Sequence, residues 1–437
     1  MIDSISVNGV GTQNNRLRLV TAVWLCLFVV VSTTAIALRL SNREVASRSP
    51  DEEVYIHYAT RVAGSGIEGG RELVKSYNRD IHVWVYPTPI RLGYIYLVAA
   101  VMKLSGASGE RAAVSISSVF SIGGFFVTAL LGLRFFDRWA VLVALALLSV
   151  SPIDLAIARR AWQDGVWGCI GLLLFYLCLE ASISIRPKTW RICFWVVGAY
   201  YLTIKGSAFV VYGLCTLWLV GSTWVQDGSL HKCLRLVLVS VLVGAASFAA
   251  LAWCAGGAFS VIETIQHNLL SRGWNNDRQF NSGPWYSFFL GFLALSPITT
   301  LLSIAGIAMI MLPRNSRVVC LDRRQRQAAW AMIYLIFFLL FVATVPANFK
   351  NLRYVTILVG PFCLLSGLAV VYLLAFANVK LPLWGYHFAV CAVALGLGLT
   401  CVTDYRKFER IFVRSQLDDL SIVRVIRYAR AAGNQSP

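Results

Sequence analysis

Apolar residues fall in blocks of roughly 20 along most of this chain, each closed by a short polar break. That block length is what an α-helix needs to cross a bilayer. Reading the blocks and their breaks predicts helices near 18–40, 111–134, 139–157, 166–185, 191–206, 207–225, 234–255, 285–312, 328–345, 354–377 and 382–402. The expected fold is therefore all-α, a polytopic membrane protein of about eleven spans. The first block is too long for a signal-peptide core and is expected to remain as the first span. The stretch 89–105 is apolar but only about 17 residues long, with Arg91 and Lys103 interrupting it. Trp84, Tyr86, Tyr94 and Tyr96 give it aromatic anchors, so it is expected to lie at the outer interface. The tripeptide Ser151-Pro152-Ile153 recurs as Ser296-Pro297-Ile298. A match that short is chance-level and supports no internal repeat; Pro297 is expected to kink its helix.

Composition excludes a water-soluble globule, because 58% of residues are apolar and 14% charged, and mean hydropathy is +0.67. Soluble domains carry about 25% charged residues. The net charge of +18 would suit nucleic acid, but the basic residues sit in short clusters between apolar blocks and read as topology signals. No nucleic-acid partner is expected. With residues 1–16 in the cytosol, every inner connection is basic: Arg16 and Arg18, Arg134 and Arg138, Arg186 to Arg191, Lys232 and Arg235, the arginines from Arg314 to Arg326, and Lys380. The outer side receives 41–110, a hairpin near 159–164, a turn at Lys205, the loop 256–284, the stretch 347–353 and a tail, 404–437. The tail's own basic residues, Arg406 to Arg430, pull against that placement. The eleven cysteines include no C-x-x-C pair and mostly lie in apolar segments, where they read as small buried hydrophobes.

The chain contains no H-E-x-x-H, P-loop or G-x-S-x-G motif. What stands out is a set of ionisable residues at outer helix ends, where a mid-membrane charge would cost about 2.5–3.5 kcal/mol. Asp51-Glu52-Glu53-Val54-Tyr55 follows the first span, although Pro50 and acids in a first turn also describe an ordinary helix start. Arg159 to Asp164 forms a tight hairpin that an Arg–Asp pair alone would explain. Lys205 stands in an apolar run and would equally well snorkel, and Lys350 to Tyr354 would suit an interfacial belt. Together they place carboxylates and cations on one membrane face, which suits phosphate chemistry on a lipid.

Four separated motifs carry a resemblance: Asp51-Glu52-x-x-Tyr55; Pro87-Thr88-Pro89 before Tyr94 and Tyr96; Ser151-Pro152 with Arg159 and Asp164; and Lys350-x-x-Arg353-Tyr354 with Pro361. In order and spacing the chain resembles the GT-C superfamily of integral-membrane glycosyltransferases, nearest the protein O-mannosyltransferases and lipid A aminoarabinose transferases. The resemblance implies a transmembrane domain over 17–403, with 41–110 as its catalytic outer loop and 256–284 as a second large one. It also implies sugar transfer from a polyprenyl-phosphate donor to an acceptor at the non-cytosolic face. Asp51 would be the base, with Glu52 and Asp164 in the same pocket. Arg159, Lys205, Lys350 and Arg353 would hold the carrier phosphate, and Tyr55, His57, Tyr86, Trp285 and Tyr354 would line the substrate.

The chemistry is consistent with that assignment. Phosphate leaves readily, so one base and several cations suffice where a glycosidase needs two carboxylates, and a single displacement inverts the anomeric centre. A divalent cation would find hard ligands in Asp51, Asp164 and a histidine such as His57, His82 or His267, yet the histidines lack metal-ligand spacing and no metal is assigned. The acceptor is expected to be lipid-linked or delivered by a partner protein, because the outer segments are too short for a separate recognition domain. Competing readings are a secondary transporter or lipid flippase for an anionic substrate, and a non-catalytic membrane subunit.

Overall fold

The structure, a computed structural model, describes residues 7–41, 44–84, 86–271, 283–284, 286–311, 321–344 and 350–434. Among them there is no β-strand, only an isolated antiparallel bridge between Asn351 and Ser421. The protein is a multi-pass helical membrane protein.

Helix α1 (Val7–Leu40) leads into α2 (Pro50–Arg79) and α3 (Leu92–Ser105). Ser49 caps α2, Pro50 takes its first position, and Glu52 reaches back to the Ser49 amide at 2.8 Å, a capping box. Helix α2 bends at Gly66, whose φ of +61° an L side chain rarely adopts. With 14 residues, α3 is about 21 Å long and cannot span a hydrocarbon core of about 30 Å. The chain continues through α4 (Gly109–Phe135), α5 (Arg138–Ser149) and α6 (Pro152–Ala158), then α7 (Asp164–Ile183), α8 (Pro187–Tyr201), α9 (Ala208–Asp227), α10 (Leu230–Ala255) and α11 (Ala258–Ser271). It ends with α12 (Ser287–Leu295), α13 (Pro297–Met311), α14 (Arg323–Thr344), a 3-10 turn (Leu352–Leu358), α15 (Val359–Lys380), α16 (Leu383–Phe408) and α17 (Ile422–Asn434).

Among the described residues eight helices are long and apolar enough to cross a membrane, or nine if α5 and α6, bent by 57°, form one broken span. The sequence count of eleven also takes in α8, which has 15 residues, and the block 285–312. That block divides into α12 and α13 at Ser296, because Pro297 has no N–H to continue the ladder.

Helices α7 and α15 form the centre. Their apolar windows are 78% buried, whereas those of α1 and α10 are 17% buried and that of α16 is 11%, which leaves these three facing lipid. At the crossing of α5 and α15 a Cβ on Gly367 would fall 2.0 Å from the Ala140 carbonyl oxygen, an approach only glycine permits. The two most buried helices also begin at the same end of the bundle. Asp164 opens α7, and the turn carrying Arg353 precedes α15, so the best-packed part of the molecule positions the ionisable residues.

Candidate active site

Glu52 is fully buried and accepts five hydrogen bonds, from the Ser49 amide (2.8 Å) and hydroxyl (3.1 Å), the Ala161 amide (2.7 Å), Arg160 (3.0 Å) and Arg48 (3.2 Å). Such a carboxylate has no lone pair left for a reaction. The expectation that Glu52 acts in the pocket is corrected: it fastens the start of α2 to the turn 159–163. Arg159 also belongs to this frame. Its guanidinium donates to the carbonyls of Phe412 and Glu44. Burial, then Arg160 and Arg48 nearby, lower its pKa to about 10. Arg159 therefore ties the hairpin to the carboxy-terminal segment through both Nη atoms, which leaves only its buried Nε for a phosphate. Arg160 adds a bond to the Leu417 carbonyl (3.2 Å), so residues 412–421 wall the site at the α2–α3 end.

Two ion pairs remain. Asp164 meets Lys205 Nζ at 2.6 Å, both side chains about 95% buried, and the ammonium lies 4.7 Å from the Tyr354 ring centroid and 4.8 Å from that of Trp167. Burial lowers Lys205 to about 8, partly countered by Asp164. Asp51 accepts from Arg353 Nη2 at 2.9 Å and keeps 35% of its side chain exposed. Arg353 lies over the Trp162 ring at 4.8 Å, and its Nε has no partner. Tyr55, one helical turn after Asp51, bonds Arg91 through its hydroxyl and packs edge-on to Tyr94. Gln163, with its amide turned to suit its neighbours, accepts from Arg91 at 2.7 Å and from Tyr55 at 3.1 Å. Asp51, Tyr354, Asp164 and Arg353 all lie within electrostatic reach of Arg91.

The structure thus brings together Asp51, Tyr55, Asp164, Lys205, Arg353 and Tyr354. Three other expectations are corrected. Lys350 donates to the Thr344 carbonyl at 2.7 Å, a cation at the carboxy-terminal end of α14, which occupies it away from the carboxylates. His57 is exposed on α2, because two residues past Tyr55 is about 200° around a helix. Tyr86 is exposed beyond the short 3-10 turn at residues 81–83. Trp285 lies outside the described residues. Sequence reading missed Arg91 and Trp162. The signal for Arg91 was an arginine inside an apolar run, which had been read as an interfacial interruption. Trp162 stood inside a hairpin already noted, with no pattern to single it out.

A narrow cleft of about 30 Å³ runs from Asp164 between α4, α6, α7 and α15, lined by Gly165, Gly168 and Gly360 and reaching Asp154. Arg39 answers Asp154 from α1, saturated by Ser121 and the Ala35, Ser149 and Leu148 carbonyls as well. Among the described residues no group of three or more His, Cys, Asp or Glu side chains converges as a metal cage.

Solved structures share this architecture. ArnT from Cupriavidus metallidurans in the apo state superposes over 94% of this chain and 75% of its own, with TM-score 0.57 and 17% identity. The same protein bound to undecaprenyl phosphate gives a TM-score of 0.55. The oligosaccharyltransferase AglB from Archaeoglobus fulgidus, in complex with an inhibitory peptide and a dolichol-phosphate, superposes over 95% of this chain and 60% of its own, with TM-score 0.58 and 12% identity. Both are GT-C glycosyltransferases. This chain has the GT-C fold. No protein-family model and no curated protein matches its sequence. In this GT-C fold the two ion pairs sit where α2 enters the bundle, beside the starts of α7 and α15.

Proposed function

We propose that this protein is a glycosyltransferase that moves a sugar from a polyprenyl-phosphate donor to an acceptor, by inverting displacement at the non-cytosolic face. The observation that supports this most directly is Asp51: a carboxylate one-third exposed, held from one side by Arg353, with Arg91 within electrostatic reach. Asp51 takes the proton from the acceptor hydroxyl as the oxygen attacks the anomeric carbon, while the bond from that carbon to the carrier phosphate breaks. Arg353 and Arg91 stabilise the charge growing on the departing phosphate, with the unpartnered Arg353 Nε among the donors that can receive it. Lys205 adds its field from inside the aromatic box. Asp164 keeps that lysine charged and oriented.

The names of the structural neighbours bear on the same reading, since ArnT was solved with undecaprenyl phosphate and AglB with dolichol-phosphate. The acceptor is lipid-linked or delivered by a partner protein. No divalent ion is required, so transfer should survive chelation by EDTA.

The test uses purified protein in liposomes with a radiolabelled polyprenyl-phosphate sugar. Asp51→Asn should abolish transfer and leave carrier binding intact, since the amide keeps the shape but cannot take the proton. Equal loss of binding and turnover would make Asp51 structural. NMR of the product should report an inverted anomer, and retention would require a covalent intermediate instead.

A further inference from the structure

The two Ser-Pro-Ile tripeptides, 145 positions apart in sequence, meet in space. Each marks a helix break, Ser151 between α5 and α6 and Ser296 between α12 and α13. Both line one cavity of about 20 Å³ against α15. Room of that size holds one or two waters or one small ion, and no sugar.

Its lining is polar on one side, with Ser151, Ser296, Thr299 and Thr300. Thr299 is 93% buried and its hydroxyl has no hydrogen-bond partner. Thr300 donates to the Ser296 carbonyl at 2.8 Å, which leaves the lone pairs of its own oxygen available. Pro297 cannot bond the Leu293 carbonyl one turn back, so the break adds an acceptor. Behind Ser296 stands Asp404 of α16, within hydrogen-bond reach of that serine and close enough to Cys363, another lining residue, to act on it electrostatically. Asp404 is 99% buried, and its Oδ1 has no partner. Lys407 turns its ammonium to the Ala294 carbonyl at 2.8 Å.

An unpartnered carboxylate oxygen and an unpartnered hydroxyl inside an apolar bundle are costly unless something binds them. Lys407 answers part of the Asp404 charge, but its ammonium hydrogen bond goes to Ala294, and the free Oδ1 and the Thr299 hydroxyl stay without a donor or acceptor. We infer that the cavity between the two Ser-Pro breaks binds one monovalent cation of about sodium's size, held by the hydroxyls of Ser151, Ser296 and Thr299 with Asp404 as its negative partner. Broken spans that meet in this way place free carbonyls and helix ends where small cations bind in membrane proteins. A single carboxylate, with Lys407 already nearby, selects a monovalent ion over a divalent one, which draws on several carboxylates. The ion would pin the two breaks against α15. This site is separate from Asp51, and its test does not read sugar transfer.

The experiment is thermal unfolding of the purified full chain in detergent, in sodium chloride or in choline chloride at equal ionic strength. Sodium should raise the wild-type melting temperature by about 3 °C or more, because only the folded state holds the ion. Thr299→Val and Asp404→Asn should each remove that difference, while Arg430→Gln should keep it. Radiolabelled sodium should be retained by the wild type at one ion per chain. Equal melting in the two salts, no retained sodium, or a sodium effect that survives both substitutions would overturn the proposal.

Discussion

The Lys205–Asp164 pair and the Asp51–Arg353 pair join the same kinds of group at the same end of the bundle, and their surroundings set them apart. The first is closed: both partners are about 95% buried, and two aromatic rings flank the ammonium. The second is open, because Asp51 keeps 35% of its side chain in reach of solvent. A closed pair resists rearrangement and holds a field in place, since separating it would leave a bare charge in a poor solvent. An open pair can exchange partners. Under the proposed function this difference suits Asp164 to positioning and Asp51 to proton transfer, although both carboxylates sit in matching motifs of the sequence.

The largest expected effect separates the pairs by kind. Asp51→Asn should lower turnover by about 10²–10⁴-fold, the usual scale for a lost general base, with the melting temperature near that of the wild type. Asp164→Asn should do the reverse and destabilise the fold by about 3–5 kcal/mol, read by thermal unfolding, because it strands the Lys205 ammonium. Adding Lys205→Met should restore most of that loss. If the double variant is no more stable than the single one, the pair is not closed in the sense argued above.

A pH series sharpens the same contrast. Folded Lys205 titrates at about 8, and its ordinary value is 10.5. Between those values the unfolded chain binds more protons than the folded one, so the contribution of this residue to stability rises with pH across that window. Lys205→Met should flatten that part of the stability curve. Transfer activity should fall over the same range as the cation is lost. The smallest effect concerns binding: Arg353→Gln should weaken carrier affinity by about 10-fold or more, from lost charge-assisted hydrogen bonds, while substitution of the exposed Arg430 of α17 by Gln should leave it unchanged. Equal effects would mean a diffuse positive field and no defined phosphate seat.

Helix positions and the polytopic class were legible because apolar blocks of spanning length have few alternative readings. The site was legible in part, and the misreadings share one cause. Asp51 and Glu52 are neighbours in sequence but about 100° apart on a helix, so one meets Arg353 and the other the hairpin. Residue type alone does not say which. Arg159 and Lys350 fall in motifs whose family resemblance implies phosphate ligands, and residue type does not show what else holds them. The carbonyls that occupy them come from Phe412, Glu44 and Thr344, and the first two are remote in sequence. Arg91 was hidden in the opposite way, since its partners Tyr55 and Gln163 lie 36 and 72 positions off. The twin Ser-Pro breaks read as a chance match in sequence, and only the packing of α5 and α13 on α15 brings them to one cavity.

The wall formed by residues 412–421 has a consequence for biogenesis. Arg159, Arg160 and Leu352 each donate a hydrogen bond to a backbone carbonyl of this late-made stretch. The hairpin that fixes Glu52, and through it the start of α2, therefore stays unfinished until translation has passed residue 421 and the last span has been inserted. A nascent chain halted earlier would carry Asp51, Asp164 and every cation but hold them in no fixed relation. The geometry of the whole site would then be assembled late and all at once, and not piece by piece as each helix is made.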